Sequence, residues 1–209
     1  MDIVFVDELT WTTNNLCGAS RTTSCKDLSV GIRRTKEKGA VYAIGYQLLR
    51  ITVMLDKSIN IVSDDMQQGM ISSVRSIDFA FQLRCKKGIV VKVRGLHFYN
   101  TVIIHLESCK DKPDIEIDGI TLRNVTRSGL TVQIGILKQS DELKTGSFVV
   151  RSSLFEDCNG IHIFGMKRVR IYNCTFRNQP TPRNLILVCG ISDQLIAVTH
   201  AFIKFDEIW

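Results

Sequence analysis

The sequence predicts an all-β fold: a right-handed parallel β-helix, a solenoid of short strands, with a short N-terminal capping helix. Three observations carry this expectation. Four ten-residue segments align without gaps, VKVRGLHFYN from Val91, IEIDGITLRN from Ile115, FVVRSSLFED from Phe148 and VRIYNCTFRN from Val169. Each reads apolar-x-[VI]-x-small-x-x-[FL]-x-[ND], and their starts are 24, 33 and 21 residues apart. In three of the four a second short strand follows at once: TVIIHL from Thr101, GLTVQI from Gly129 and GIHIF from Gly160. Finally, the outward positions form columns that alternate in charge, Arg94/Asp118/Arg151/Tyr172 and Tyr99/Arg123/Glu156/Arg177. An in-register parallel stack requires that alternation, because like charges in neighbouring coils would sit about 4.8 Å apart. Coils of this length, with short strands and no helices, make a parallel β-helix.

Residues 1–40 differ from the repeats. Ile3 to Val6 (IVFV) reads as a short strand, and Cys17 and Cys25 lie close together in the polar loop CGASRTTSC, where a disulfide is allowed. From Cys25 to Lys38 a helix is expected: Leu28 and Ile32 share a face, Lys and Arg crowd its end, and Gly39 suits its C-cap. Such a helix and loop would cover the open first coil, whose unpaired backbone otherwise invites aggregation. Residues 41–178 hold the coils. VYAI, LLRITVML, INIV and IDFAFQL are less regular early strands, followed by the four aligned units. Within these units the inward faces stack as Val93/Ile117/Val150/Ile171 and Phe98/Leu122/Phe155/Phe176. Asn100, Asn124, Asp157 and Asn178 close each unit at one place, where Asn and Asp suit a recurring left-handed turn and a ladder of side-chain hydrogen bonds. Residues 179–209 break the pattern. Gln179-Pro180-Thr181-Pro182-Arg183 replaces the expected Gly-led strand, and no repeat unit aligns from Leu185 to Trp209. The segment reads as a divergent cap or a truncated end.

Composition narrows the functional classes. The 209 residues are 44% hydrophobic and 23% charged, which is a folded chain with a sizeable core. The net charge of +6 is spread through every segment without a basic block, so no nucleic-acid partner is expected. The most apolar tract, Leu185 to Ile203, is interrupted by Asp193 and His200, and no membrane span is expected. The N-terminus has neither a basic n-region nor an apolar h-region, so no signal peptide is read there. A truncated gene model would reconcile that with a disulfide. Besides Cys17 and Cys25, the chain holds Cys85, Cys109, Cys158, Cys174 and Cys189, with no CxxC pair to suggest zinc or thiol redox chemistry. The pairing of these five stays open; Cys174 takes an inward core slot and Cys158 lies at a turn. Sequons open Asn124 and Asn173 to glycosylation, though about one such motif would arise by chance.

Sugar-cleaving chemistry needs carboxylates gathered on adjacent coils. The only Asp-Asp doublet is Asp64-Asp65, without Gly-His-Gly or Arg-x-Lys at suitable later positions, and Arg168-Val169-Arg170 is a poor stand-in. An Asp-rich turn is the better reading of it. Glu116 and Asp118 share an outward face, but Lys92, Arg94, Arg151 and Arg170 on the adjacent coils favour ion pairs over calcium. His97, His105, His162 and His200 show no paired spacing, and His97 reads as a surface side chain. No catalytic residue, metal site or cofactor is therefore expected. Two insertions, Glu107 to Asp114 and Lys138 to Gly146, fall at equivalent places and project from one side, either as a binding surface or as solvated connectors.

The combination of CGASRTTSCKDLSVGI, LDKSINIVSDD and VRIYNCTFRN-type units, covering Val4 to Asn178, resembles the extracellular right-handed β-helix repeat proteins of invertebrate animals. These are similar in pattern to bacterial polymorphic outer-membrane proteins and, more broadly, to the pectin-lyase-like superfamily. The resemblance implies a secreted or surface-attached protein with a Cys17–Cys25 disulfide. The expected function is a non-catalytic extracellular scaffold presenting a surface to a glycan or protein. The alternatives are a polysaccharide lyase or glycoside hydrolase of that superfamily, and a non-functional gene fragment.

Overall fold

The computed structural model describes residues 2–9, 17–73, 79–84, 88–106, 111–125, 130–132, 146–158, 161–164, 166–178, 186–189, 195–199 and 202–204. Within them the chain is all-β apart from one short helix and one 3-10 turn. It opens with β1 (Ile3–Asp7), the 3-10 turn Arg21–Thr23 and α1 (Leu28–Arg34). A three-strand passage then recurs: β2 (Ala40–Ile44), β3 (Tyr46–Leu49) and β4 (Val53–Leu55), followed by β5 (Ile59–Ser63), β6 (Met70–Ser73) and β7 (Phe79–Leu83). Next come β8 (Val90–Arg94), β9 (His97–Tyr99) and β10 (Val102–Leu106), then β11 (Asp114–Asp118), β12 (Thr121–Val125) and β13 (Leu130–Val132). The series continues with β14 (Ser147–Arg151), β15 (Leu154–Cys158) and β16 (Ile161–Phe164), then β17 (Arg168–Tyr172), β18 (Thr175–Arg177) and β19 (Ile186–Cys189). It ends in β20 (Leu195–Thr199) and β21 (Phe202–Lys204).

Each passage sends its strands to different sheets. First strands stack as β1-β2-β5-β8-β11-β14-β17-β20 and second strands as β3-β6-β9-β12-β15-β18-β21, while the third strands form two groups, β4-β7-β10 and β13-β16-β19. The pairings between them are parallel. Alternation within each strand sends one face inward: in β8, Val91 and Val93 are fully buried while Lys92 and Arg94 point outward. The register is the one the aligned units require. Val93, Ile117, Val150 and Ile171 are successive partners, as are Phe98, Leu122, Phe155 and Phe176. These side chains are buried, and the Phe155 and Phe176 rings stack at 5.0 Å. Each such apolar side chain removed from water contributes about 1.5–3 kcal/mol.

The N-terminal edge is covered. The Cys17–Cys25 disulfide closes a loop that bonds along β1: Phe5 N donates to Gly18 O, Asp7 N to Cys25 O, and Cys25 N to Phe5 O. Helix α1 then lies over the end of the stack, burying Leu28 and Ile32. Its close approach depends on Gly31, where a Cβ would stand 2.3 Å from Val6 Cγ2.

Three expectations are corrected. The helix spans Leu28–Arg34 instead of Cys25 to Lys38, because Asp27 caps its start through Val30 N and Thr35 turns extended at its end. Gly39 is no C-cap; a Cβ there would meet Asp2 O and Thr35 Cγ2, each at 2.6 Å, so glycine serves a close crossing of chains. LLRITVML is two strands, β3 and β4, with a break between them. The corner at position five of each unit is left-handed backbone: Gly95, Gly119, Ser152 and Asn173 have φ of 66°, 61°, 51° and 52°. At Gly119 a Cβ would meet nothing within 4 Å, so conformation and not space selects the residue there.

The tail also departs from expectation. Strands β19, β20 and β21 pair with β16, β17 and β18, so a further passage continues the stack beyond Asn178. Its unit escaped alignment because, counted along the sequence from Ile196, the fifth and tenth residues are His200 and Phe205 instead of a small residue and Asn or Asp. Only the alternation of Ile196, Val198 and Ile203 remains of the signature.

Candidate functional site

The outward face of the seven-stranded sheet carries two side-chain columns set by register. One runs Tyr46, Met70, His97, Thr121, and its neighbour runs Leu48, Ser72, Tyr99, Arg123. Where they meet they line an open groove of 500 Å³. Tyr46, Met70 and Tyr99 are 46%, 42% and 43% exposed, an unusual grouping of large apolar side chains on an outward face. Polar groups border them. Asn124 Nδ2 donates to the Tyr99 hydroxyl at 3.3 Å and to Asn100 Oδ1 at 2.8 Å, which fixes the Tyr99 ring. Gln68 Nε2 lies 2.5 Å from His97 Nε2. Burial, helped by the nearby Arg123, holds the His97 pKa below its ordinary value, so the ring is neutral at pH 7. Arg123 itself is engaged: its Nε lies 2.6 Å from Glu156 Oε2.

Sequence reasoning missed this groove. By register Val41 matches Val93 and Tyr46 matches His97, five positions apart instead of four, so this unit is one residue longer than the later ones and does not align with them. Met70 follows a five-residue excursion, 64–68, between β5 and Gly69, so β6 could not be aligned. The inward slot of that column is also disguised, because Gln47 fills the position of Phe98 and its amide donates to Ile44 O at 3.0 Å.

The carboxylates considered for chemistry are committed elsewhere. Asp64 is buried, its side chain 1% exposed, and accepts from Arg21 Nε at 2.8 Å and Nη2 at 2.7 Å. Its other oxygen accepts from Met66 N and Gln67 N, which fastens the 64–68 excursion. Burial would raise its pKa, but Arg21 and the two amides outweigh it and hold the carboxyl below its usual range. Asp65 is exposed on the same turn. On the eight-stranded sheet, Glu116 meets Lys92 at 2.9 Å, Arg151 at 3.0 Å and Arg94 at 3.4 Å, while Asp118 meets Arg151 at 2.7 Å. Burial opposes ionisation of Glu116 too, and the three cations prevail, lowering its pKa. The crowding has a cost, since Nε of Arg94 and of Arg151 are buried without a hydrogen-bond partner. Among the described residues no three of His, Cys, Asp and Glu converge as a metal site requires.

The remaining singled-out residues fall as follows. Asn100, Asn124, Asp157 and Asn178 all hold left-handed backbone, with φ of 55°, 56°, 53° and 49°. Both sequon residues, Asn124 and Asn173, are exposed. Cys158 and Cys174 are free, buried thiols; burial pushes Cys158 up to about 11 and raises Cys174, so neither is a nucleophile at neutral pH. Cys85, Cys109, His200 and most of both insertions (107–110 and 138–145) lie outside the described residues, as do the side chains of Cys189, His105 and His162. A smaller hollow of 290 Å³ beside α1 has its carboxylates occupied by backbone, Glu8 accepting from Leu48 N and Asp27 capping the helix. Among the described residues no helix is long and apolar enough to cross a membrane. No family model matches the chain, and neither does any curated protein or solved structure.

Proposed function

We propose that the chain is a right-handed parallel β-helix of the extracellular, pectin-lyase-like kind, a non-catalytic scaffold that presents a surface to a glycan or protein. Support for the fold comes from the recurring three-strand passage and its in-register parallel ladders. The Cys17–Cys25 disulfide is compatible with an oxidising compartment. The observation that carries the functional reading is a contrast between two faces. The carboxylates best placed for acid–base work, Asp64, Glu116 and Asp118, are each held by arginine, whereas the groove on the seven-stranded sheet presents Tyr46, Met70 and Tyr99 as exposed side chains. A general acid or base must change protonation near its working pH, and the cations beside Asp64 and Glu116 hold those two carboxyls below their ordinary range. A stiff stack with an exposed aromatic hollow suits recognition instead.

The test is incubation of the purified chain with a panel of neutral and acidic polysaccharides, reading product ends by reducing-sugar and unsaturated-uronate assays. No cleavage of any member is expected. Cleavage that disappears in a Glu116→Gln or Asp64→Asn variant would overturn the non-catalytic reading.

A further inference from the structure

Building on that scaffold reading, we infer that the groove formed by Tyr46, Met70, His97, Tyr99 and Thr121 is a subsite for a neutral glycan, a chain of uncharged pyranoses. The geometry is that of a sugar platform. Tyr46 and Tyr99 belong to strands two steps apart in one sheet, so their rings are separated by about two inter-strand spacings, ~10 Å, along the stack axis. Pyranose rings present apolar C–H faces that lie flat on exposed aromatic rings, and their hydroxyls need donors and acceptors at the edges. Both are supplied here. The rings are nearly half exposed, Thr121 and the mostly buried Ser72 line the hollow, and the Asn100–Asn124 pair borders it. The volume of 500 Å³ falls within the roughly 300–1,000 Å³ typical of small-ligand sites.

Charge decides between sugar classes. Tyr46, Met70, Ser72, Tyr99 and Thr121 carry none. Among the described residues the one permanent charge at the border, Arg123, is already neutralised by Glu156. A uronate or sulfated sugar would have to displace Glu156 from Arg123 to gain a cation from the residues lining the groove. A neutral sugar breaks nothing. A protein partner is the less favoured occupant, because a stable protein interface buries about 800 Å² on each side. Here the apolar group is only Tyr46 beside Met70 in one column and Tyr99 in the next, followed or preceded by the polar His97, Thr121 and Ser72.

The rigidity of the platform adds to this. Tyr99 is held by Asn124 at its hydroxyl and by the ladder of β9 between β6 and β12, so binding orders little that is not ordered already.

The experiment is retention of the full chain on immobilised β-glucan, chitin and galactomannan, beside polygalacturonate and heparan sulfate, in low salt and in about 1 M salt, where charges are screened within ~3 Å. We expect retention on at least one neutral polysaccharide, unchanged by salt. Tyr46→Ala and Tyr99→Ala should each weaken it about tenfold, with thermal unfolding near that of the parent. Tyr46→Phe keeps the ring and should retain binding. Retention confined to the acidic polysaccharides, or neutral retention indifferent to both alanine variants, would sink the inference while leaving a glycan-binding scaffold. A folded chain retained by none of the five would also sink it and leave the protein-partner form of the scaffold reading. Cleavage of a polysaccharide bears on the scaffold reading alone, since it depends on the carboxylates and not on the tyrosines.

Discussion

Asn124 combines two roles that few residues share. Its backbone is left-handed, which costs most L-residues roughly 1–2 kcal/mol, and its side chain bonds both Asn100 and Tyr99. The recurrence of Asn or Asp at that position therefore has a local conformational cause before any question of function arises. Asp64 is the other residue whose chemistry reaches beyond its own turn, because it ties the excursion preceding β6 to Arg21 in the N-terminal loop. Its native pKa lies below the ordinary 3.8. A depressed carboxylate contributes stability that is fully present above its unfolded pKa and is lost as pH falls through its native value. Stability should therefore decline as the pH falls through and below the ordinary carboxylate range, with Glu116 adding to the slope in the same direction. Asp64→Asn should lower stability at pH 7 by about 1–2 kcal/mol, moderated because Arg21 is half exposed, and should flatten that acid slope. Urea unfolding of both proteins across the range measures it; parallel slopes would rule out Asp64 as a source.

At the scale of elements, the N-terminal cover explains how a parallel stack can begin. Strand β1 has β2 on one side, and its other edge is taken up by Gly18 and Cys25 from the disulfide loop. An edge strand so occupied cannot recruit a second chain. Opening the loop with Cys17→Ser and Cys25→Ser together should cost about 2–3 kcal/mol, the loss expected for an eight-residue separation. It should also expose β1, so that the variant self-associates in a concentration-dependent way. Light scattering coupled to size exclusion would detect this, and a variant equally monomeric at every concentration would show that the loop stays seated without its bond. The helix contributes through fit more than length. Seven residues form it, and Gly31 admits the close contact with Val6 that seats it over β1.

For the molecule as a whole, stability is distributed along columns. Leu122, Phe155 and Phe176 are successive rungs of one inward column, all fully buried, and the two phenylalanine rings stack. Removing one rung deprives both neighbours of a face. Phe155→Ala should therefore destabilise the chain by about 3–5 kcal/mol in chemical denaturation, whereas an outward change such as Thr121→Ala should stay within about 0.5 kcal/mol. Equal costs at the two positions would contradict the column description. The outward columns alternate in charge over the same rungs, with Arg123 on Glu156 and Arg151 on Asp118. These pairs favour the native register more than they add stability, since exposed pairs contribute about 0–1 kcal/mol each.

The order of residues was enough to determine the parallel register of the later units, because side chains that alternate with a period of two and recur at a fixed slot pair in only one way. It was enough, too, to predict ion pairing at Glu116, since the register sets Lys92 opposite it and Arg151 opposite Asp118 on the same face. Only the tertiary structure decided the rest. Gln47 in a core slot, the 64–68 excursion and the altered corner of the last unit all break the written pattern while preserving the backbone ladder. Hydrogen bonds between main chains do not depend on side-chain identity, so a strand can keep its place after its signature has gone. The groove belongs to this second class: Tyr46, Met70 and Tyr99 are far apart in sequence and carry no signal singly. They become one surface only because three parallel strands bring them side by side.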